Sequence, residues 1–114
     1  MRLQPAESLF TTAITQAEIL YGVAVLPVGR KRQAIANAVE EMFEEDFRGR
    51  ILPFDTPAAH FFARIAAQRR GLGRPISQLD AQIAAIAASR GAAVATRNVS
   101  DFEHCNIEVL NPWS

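Results

Sequence analysis

The sequence predicts an α/β fold with a mostly parallel sheet, and three observations carry that expectation. Short apolar runs alternate with segments whose apolar residues recur at helical spacing. Residues able to cap a helix, Thr15, Asp55 and Ser77, stand where those segments begin. Glycine or proline stands where they end, at Pro27 with Gly29, at Gly71 with Gly73, and at Gly91.

Taken in order, Leu9–Ile14 reads as a short buried strand. Thr15 is then the expected N-cap of a short helix, and Glu18 three residues on completes a capping box. From Arg30 to Phe47, Ile35, Val39, Met42 and Phe43 recur at helical spacing beside an acidic face of Glu40, Glu41, Glu44 and Glu45. Ile51–Phe54 is a second strand. Asp55 ahead of Thr56 and Pro57 marks the start of a helix that runs to about Arg70. Ser77 caps a helix from Gln78 to Arg90, whose Ile83, Ala84, Ile86 and Ala87 suit close packing. Ala93–Thr96 is a third strand, Val99–Phe102 a short turn or helix, and Ile107–Leu110 a fourth strand. Strands alternating with helices imply parallel pairing through right-handed crossovers. The chain opens almost at a strand, whereas doubly wound sheets begin with the strand that becomes central. The order therefore reads as a fold lacking its first, central strand.

At 114 residues and 49% hydrophobic, the chain has the size and apolar content of one domain, residues 1–114. Twelve basic residues balance twelve acidic ones, so no global field draws it to nucleic acid or membrane. A metal ion can still supply the positive charge that phosphates require. Eleven of the basic residues are Arg and one is Lys31, a bias that suits bidentate phosphate contacts and that a GC-rich genome also produces. The single Cys105 excludes an intramolecular disulfide and a zinc cluster, in keeping with a reducing cytoplasm. No signal peptide or membrane span is visible.

Three acids stand at expected strand-to-helix loops: Glu18, Asp80 and Asp101, with Asp55 as a fourth possibility. In an open α/β sheet such loops lie at the crevice beyond the strands' carboxyl ends. Acids brought together there repel unless a cation or proton joins them. Carboxylates and water suit Mg²⁺ or Mn²⁺. Taken singly, Glu18 and Asp80 are better explained by capping and the helix dipole, and Asp101 could equally be a turn residue; their joint occurrence is what points to a site. Thr96 and Asn98 are polar residues on the loop before Asp101, and Arg97 between them is placed to orient a phosphate or pair with Asp101. Arg69, Arg70 and Arg74 form a basic cluster at a Gly-rich turn, read as solvated charge with phosphate contact as the alternative. Tyr21 and Trp113 are candidates for a protein interface or for finishing the core.

Three ordered motifs carry a resemblance. They are Ala17–Gly22; Arg74–Ser77 leading into Asp80–Ala85; and Ala95–Phe102, which holds Thr96, Arg97, Asn98 and Asp101. Together with the closing Val109–Trp113, they resemble the PIN-domain proteins of the VapC/FitB-like toxin type, often called plasmid stability proteins. The resemblance runs from about Pro5 to the C-terminus. It implies a PIN-like three-layer α/β/α fold and a Mg²⁺- or Mn²⁺-dependent endoribonuclease that is the toxin of a toxin–antitoxin pair. It also implies a cognate antitoxin, an RNA substrate, a homodimer, and no membrane. By the resemblance, Glu18, Asp80 and Asp101 are the catalytic, metal-binding acids, with Thr96, Arg97 and Asn98 supporting the site.

One departure stands out. The family pattern begins with a central strand ending in Asp-Thr-Asn, upstream of the segment matching Pro5, and this sequence holds no such motif. The expectation is a PIN-like domain truncated at its N-terminus, short of one acid and its middle strand, with unpaired strand edges flanking the gap. Its alternative to a ribonuclease is a catalytically inactive PIN-like module that dimerises or sequesters an antitoxin.

Overall fold

A computed structural model describes residues 9–96, 98–105 and 107–110. The element order is β1 (Thr11–Thr12), α1 (Ala13–Ala24), α2 (Arg30–Glu41) continued by a π-helical turn (Met42–Asp46), β2 (Ile51–Leu52), α3 (Thr56–Gly71), α4 (Gln78–Ser89), β3 (Val94–Ala95), a 3₁₀ turn (Val99–Phe102) and β4 (Val109–Leu110). The alternation and the parallel pairing are as the sequence predicts. The chain divides into two compact units, one ending at Pro53 and the other beginning at Phe54.

In the first unit β1 pairs in parallel with β2, Thr11 opposite Ile51 and Thr12 opposite Leu52. The first expected strand is cut short because α1 starts early. Thr12, in extended conformation, is the N-cap, and its side chain accepts from the Thr15 N–H at 3.0 Å. Thr15 is thus inside the helix, and its hydroxyl accepts from the Thr12 hydroxyl. Two hydroxyls three residues apart compete for one cap, and the upstream one wins by adding three residues to the helical ladder. Arg50 closes the unit: its backbone carbonyl accepts from Thr11 N–H. Its guanidinium donates to the Leu9 and Asp46 carbonyls. Phe43 is buried and stands 6.5 Å from Phe47, ring centre to ring centre.

In the second unit β3 pairs in parallel with β4, Val94 opposite Val109 and Ala95 opposite Leu110. Among the described residues the two ladders are separate two-stranded sheets, so each strand keeps one unpaired edge. The core here packs α4 against α3 and beneath β3: Ala84, Ala85 and Ala87 with Ile65, Val94, Phe102 and Cys105. Phe61, Phe62 and Ile107 pack around it. Both helices begin on the caps expected of them. Asp55 accepts from Ala58 N–H at 3.2 Å, and Ser77 accepts from Asp80 N–H at 3.1 Å.

Both helices end in the same way. After α3, Gly73 at φ 72° lets its N–H reach the Arg70 carbonyl while Arg74 N–H reaches Arg69. After α4, Gly91 at φ 63° does the same with Ala88, and Ala92 with Ala87. These are Schellman closures, which need a left-handed residue that glycine adopts without steric cost. No atom crowds a Cβ built at Gly91, so only the backbone opposes a side chain there. Gly91→Ala should lower unfolding stability by about 1 kcal/mol, and Gly91→Asn by less, as chemical denaturation will show.

Cys105 is a buried core residue. Burial pushes its thiol above the ordinary value of 9.0; the Arg69 hydrogen bond and charge oppose that rise, and the Asp80 charge adds to it. The folded chain therefore holds this proton more tightly than the unfolded chain does. The resulting stability is complete below pH 9.0 and is lost as pH climbs through the raised folded value. Denaturation midpoints at pH 7 and 10 should show an alkaline loss in the wild type that is smaller in Cys105→Ala.

Candidate functional site

Asp80 stands in the first turn of α4, half-buried, its own N–H satisfied by Ser77. The macrodipole stabilises a carboxylate there. Asp101 is exposed on the 3₁₀ turn. A chain of local bonds shapes that turn: Thr96 Oγ1 accepts from Asn98 N–H at 3.0 Å, and the Asn98 carbonyl accepts from Asp101 N–H at 3.0 Å. Thr96 and Asn98 thus hold the backbone that presents Asp101. Arg97 lies outside the described residues, as does Trp113.

Glu18 is exposed on α1. The early start of the helix removes it from the first turn, which contains no acid. The capping box expected with Thr15 is therefore not formed, and capping does not account for Glu18. Asp55, the fourth possibility, is fully engaged. One carboxylate oxygen caps α3, and the other accepts from Arg90 at 3.1 Å. Among the described residues the carboxylates of Glu18, Asp80 and Asp101 take part in no ion pair, whereas Asp55 and Glu103 do.

Within the second unit α4 packs against the turn that carries Asp101. The Asp80 charge acts on the Cys105 thiol, and Arg69 touches both that sulfur, at 3.8 Å, and the Asp101 carbonyl, at 2.8 Å. Asp80 and the Asp101 turn thus share one electrostatic neighbourhood. Oxygen donors free of competing partners suit a hard divalent ion such as Mg²⁺ or Mn²⁺. Among the described residues no three His, Cys, Asp or Glu side chains are gathered closely enough to hold a metal. Magnesium commonly takes one or two carboxylates and keeps its waters, so binding that ion needs no cluster of three.

The basic cluster behaves differently from its expected solvation. Arg70 is exposed, Arg74 pairs with Glu103 at 3.2 Å, and Arg69 is buried at 6% exposure. Its position was legible in one respect: Ala58, Ile65 and Arg69 fall at helical spacing on the buried face of α3. Elsewhere, α1 buries none of its residues and leaves Leu20, Tyr21 and Val25 exposed. Beside it a cavity of about 670 Å³ is lined by Leu20, Val23, Val28, Val39 and Phe43, with Gln16 and Glu40 among its polar residues. Tyr21 is 70% exposed, which favours the interface reading over the core reading. Among the described residues no helix is long and apolar enough to cross a membrane.

Comparison with known proteins agrees with this architecture. The PIN domain family matches residues 2–106. A VapC ribonuclease, Y4jK of Sinorhizobium fredii, is 39% identical over 110 residues, covering 96% of this chain and 79% of that protein. The plasmid stability protein StbB of Pseudomonas syringae pv. tomato is 36% identical over the same shares of each chain. Among solved structures, FitAB bound to a DNA fragment superposes with a TM-score of 0.92 at 37% identity, covering 97% of this chain and 78% of that one. With a family match spanning most of its length and relatives at this identity, the chain belongs to the PIN-domain family, among its VapC/FitB-like members.

Proposed function

We propose that this chain is a Mg²⁺- or Mn²⁺-dependent endoribonuclease, the toxin of a toxin–antitoxin pair acting in the cytoplasm. The observation that carries the reading is that Asp80 and the Asp101 turn lie around the same Arg69 and Cys105, with both carboxylates outside any ion pair among the described residues. Asp55 is consumed by a cap and an ion pair, while Glu18, Asp80 and Asp101 keep their carboxylates clear of ion pairs among the described residues. Capping does not explain Glu18. A relative 39% identical bears the name of a ribonuclease.

In this reading Asp80 and Asp101 would hold the ion, and Glu18 is given a metal-binding role by its motif's resemblance to the family alone. When bound, such an ion would supply an activated water and charge stabilisation of the leaving oxygen in phosphodiester hydrolysis. The chain's own part is positional. Ser77 fixes the helix start from which Asp80 projects, and Thr96 and Asn98 hold the turn bearing Asp101. Arg97, beside that turn in sequence, orients an RNA phosphate. The exposed apolar residues of α1 support a protein partner, since contiguous apolar surface marks interaction sites; the cognate antitoxin and a second copy of the chain are the partners of this reading.

That same surface favours a second reading, a catalytically inactive module that dimerises or sequesters an antitoxin. Metal-dependent cleavage separates the two. Asp80→Asn should reduce cleavage of RNA in Mn²⁺ to background with the circular dichroism spectrum unchanged. Asp55→Ala should leave cleavage intact and lower stability by ~0.5–2 kcal/mol through its lost cap. A wild type that shows no Mn²⁺-dependent cleavage and takes up no Mn²⁺ in calorimetry supports the binding module instead. Equal cleavage by the wild type and Asp80→Asn removes Asp80 from the chemistry.

A further inference from the structure

We infer that Arg69 is a positioning residue, a buried clamp that sets the spacing between the Asp80 and Asp101 carboxylates; the inference rests on the metal-site reading above. Arg69 occupies the last turn of α3 and is buried, yet none of the ion pairs among the described residues includes it. A charge kept inside a protein without a counterion is costly unless its donors are satisfied.

Here Nε and Nη1 are satisfied, and apart from the Cys105 sulfur their acceptors are all loop carbonyls. Nε donates to the Arg74 carbonyl at 2.6 Å, while Nη1 donates to the carbonyls of Asp101 at 2.8 Å and Glu103 at 3.1 Å. The Arg74 N–H in turn donates to the Arg69 carbonyl at 2.9 Å, so that loop is gripped from both directions.

These acceptors belong to two different segments. Arg74 lies in the connection that leads to Ser77 and hence to Asp80. Asp101 and Glu103 lie on and just after the turn that presents the Asp101 carboxylate. One planar guanidinium therefore ties together the two loops from which the candidate acids project. The Arg74–Glu103 ion pair at 3.2 Å is a second tie between the same two segments, but both of its side chains are substantially exposed and such pairs contribute little. Lysine retains the charge at position 69 but not the fork, and it cannot reach divergent carbonyls with fixed geometry. Groups that orient metal ligands without touching the metal change affinity by roughly 10–100-fold when removed.

The experiment compares the full chain with Arg69→Lys and Arg69→Met in two readouts, using Mn²⁺ as the probe and Asp80→Asn as reference. Backbone hydrogen exchange at Asp101 and Glu103 should accelerate in both variants, while amides in the middle of α4 stay protected. The Kd for Mn²⁺ should rise on the order of 10–100-fold in both, and cleavage should return toward the wild-type rate at saturating Mn²⁺. Full Mn²⁺ affinity in Arg69→Lys would show that charge alone suffices and overturn the clamp. Faster exchange with unchanged Mn²⁺ affinity would also overturn it, by showing a tie that does not position the acids. Should Arg69→Met fail to fold, the lysine variant carries the same two readouts. Should both fail, the wild type decides: Mg²⁺ titration must shift the Arg69 Nε–H resonance, and no shift overturns the inference. A wild type that binds no Mn²⁺ overturns the metal-site reading itself, a result distinguishable from failure at Arg69 alone.

Discussion

Close packing of alanines along α4 is the constraint on which the second unit depends. Ala81, Ala84, Ala85 and Ala87 are buried, and the first three are almost completely shielded from water. Small side chains let α4 approach α3 closely, and dense interiors tolerate little added volume. Asp80 stands immediately before this run, so its backbone is held by the same contacts that form the core. A carboxylate at the start of a rigidly packed helix keeps its place without needing a partner of its own.

The opposite side of the candidate site is held by polar contacts rather than by packing. The Asp101 turn has one buried apolar anchor, Phe102, and otherwise depends on Thr96, Asn98 and the buried Arg69. This division of labour is physically sensible. Apolar burial is strong but non-directional, whereas hydrogen bonds to specific carbonyls set angle and distance. A helix supplies one acid by rigidity, and a short loop supplies the other by directed bonds.

Much of this was readable from residues in order. Ser77, Asp55 and Gly91 marked helix boundaries because capping and left-handed closure depend on local chemistry that a sequence displays directly. The parallel pairing followed from the alternation of elements. Thr12 rather than Thr15 is the cap: two equivalent hydroxyls three residues apart offer the same cap, and the upstream one lengthens the helical ladder by three residues. Strand lengths were overestimated for a related reason: an apolar run shows what can pair, not how many residues find a partner. Arg69 reads as solvated by its charge, yet its spacing from Ile65 puts it on the buried face of α3. The resemblance carried by the Glu18, Asp80 and Asp101 motifs identified the family correctly. The metal-binding role of those acids is a proposal, supported by carboxylates that form no ion pair among the described residues.

The central proposal is that Asp80 and Asp101 hold a divalent cation. Paramagnetic line broadening by substoichiometric Mn²⁺ in the isotopically labelled chain tests it most directly. Amide signals around Asp80 and Asp101 should vanish first, and Asp80→Asn should restore them. Broadening centred instead on the acidic face of Glu40–Glu45, and indifferent to Asp80→Asn, would contradict the account.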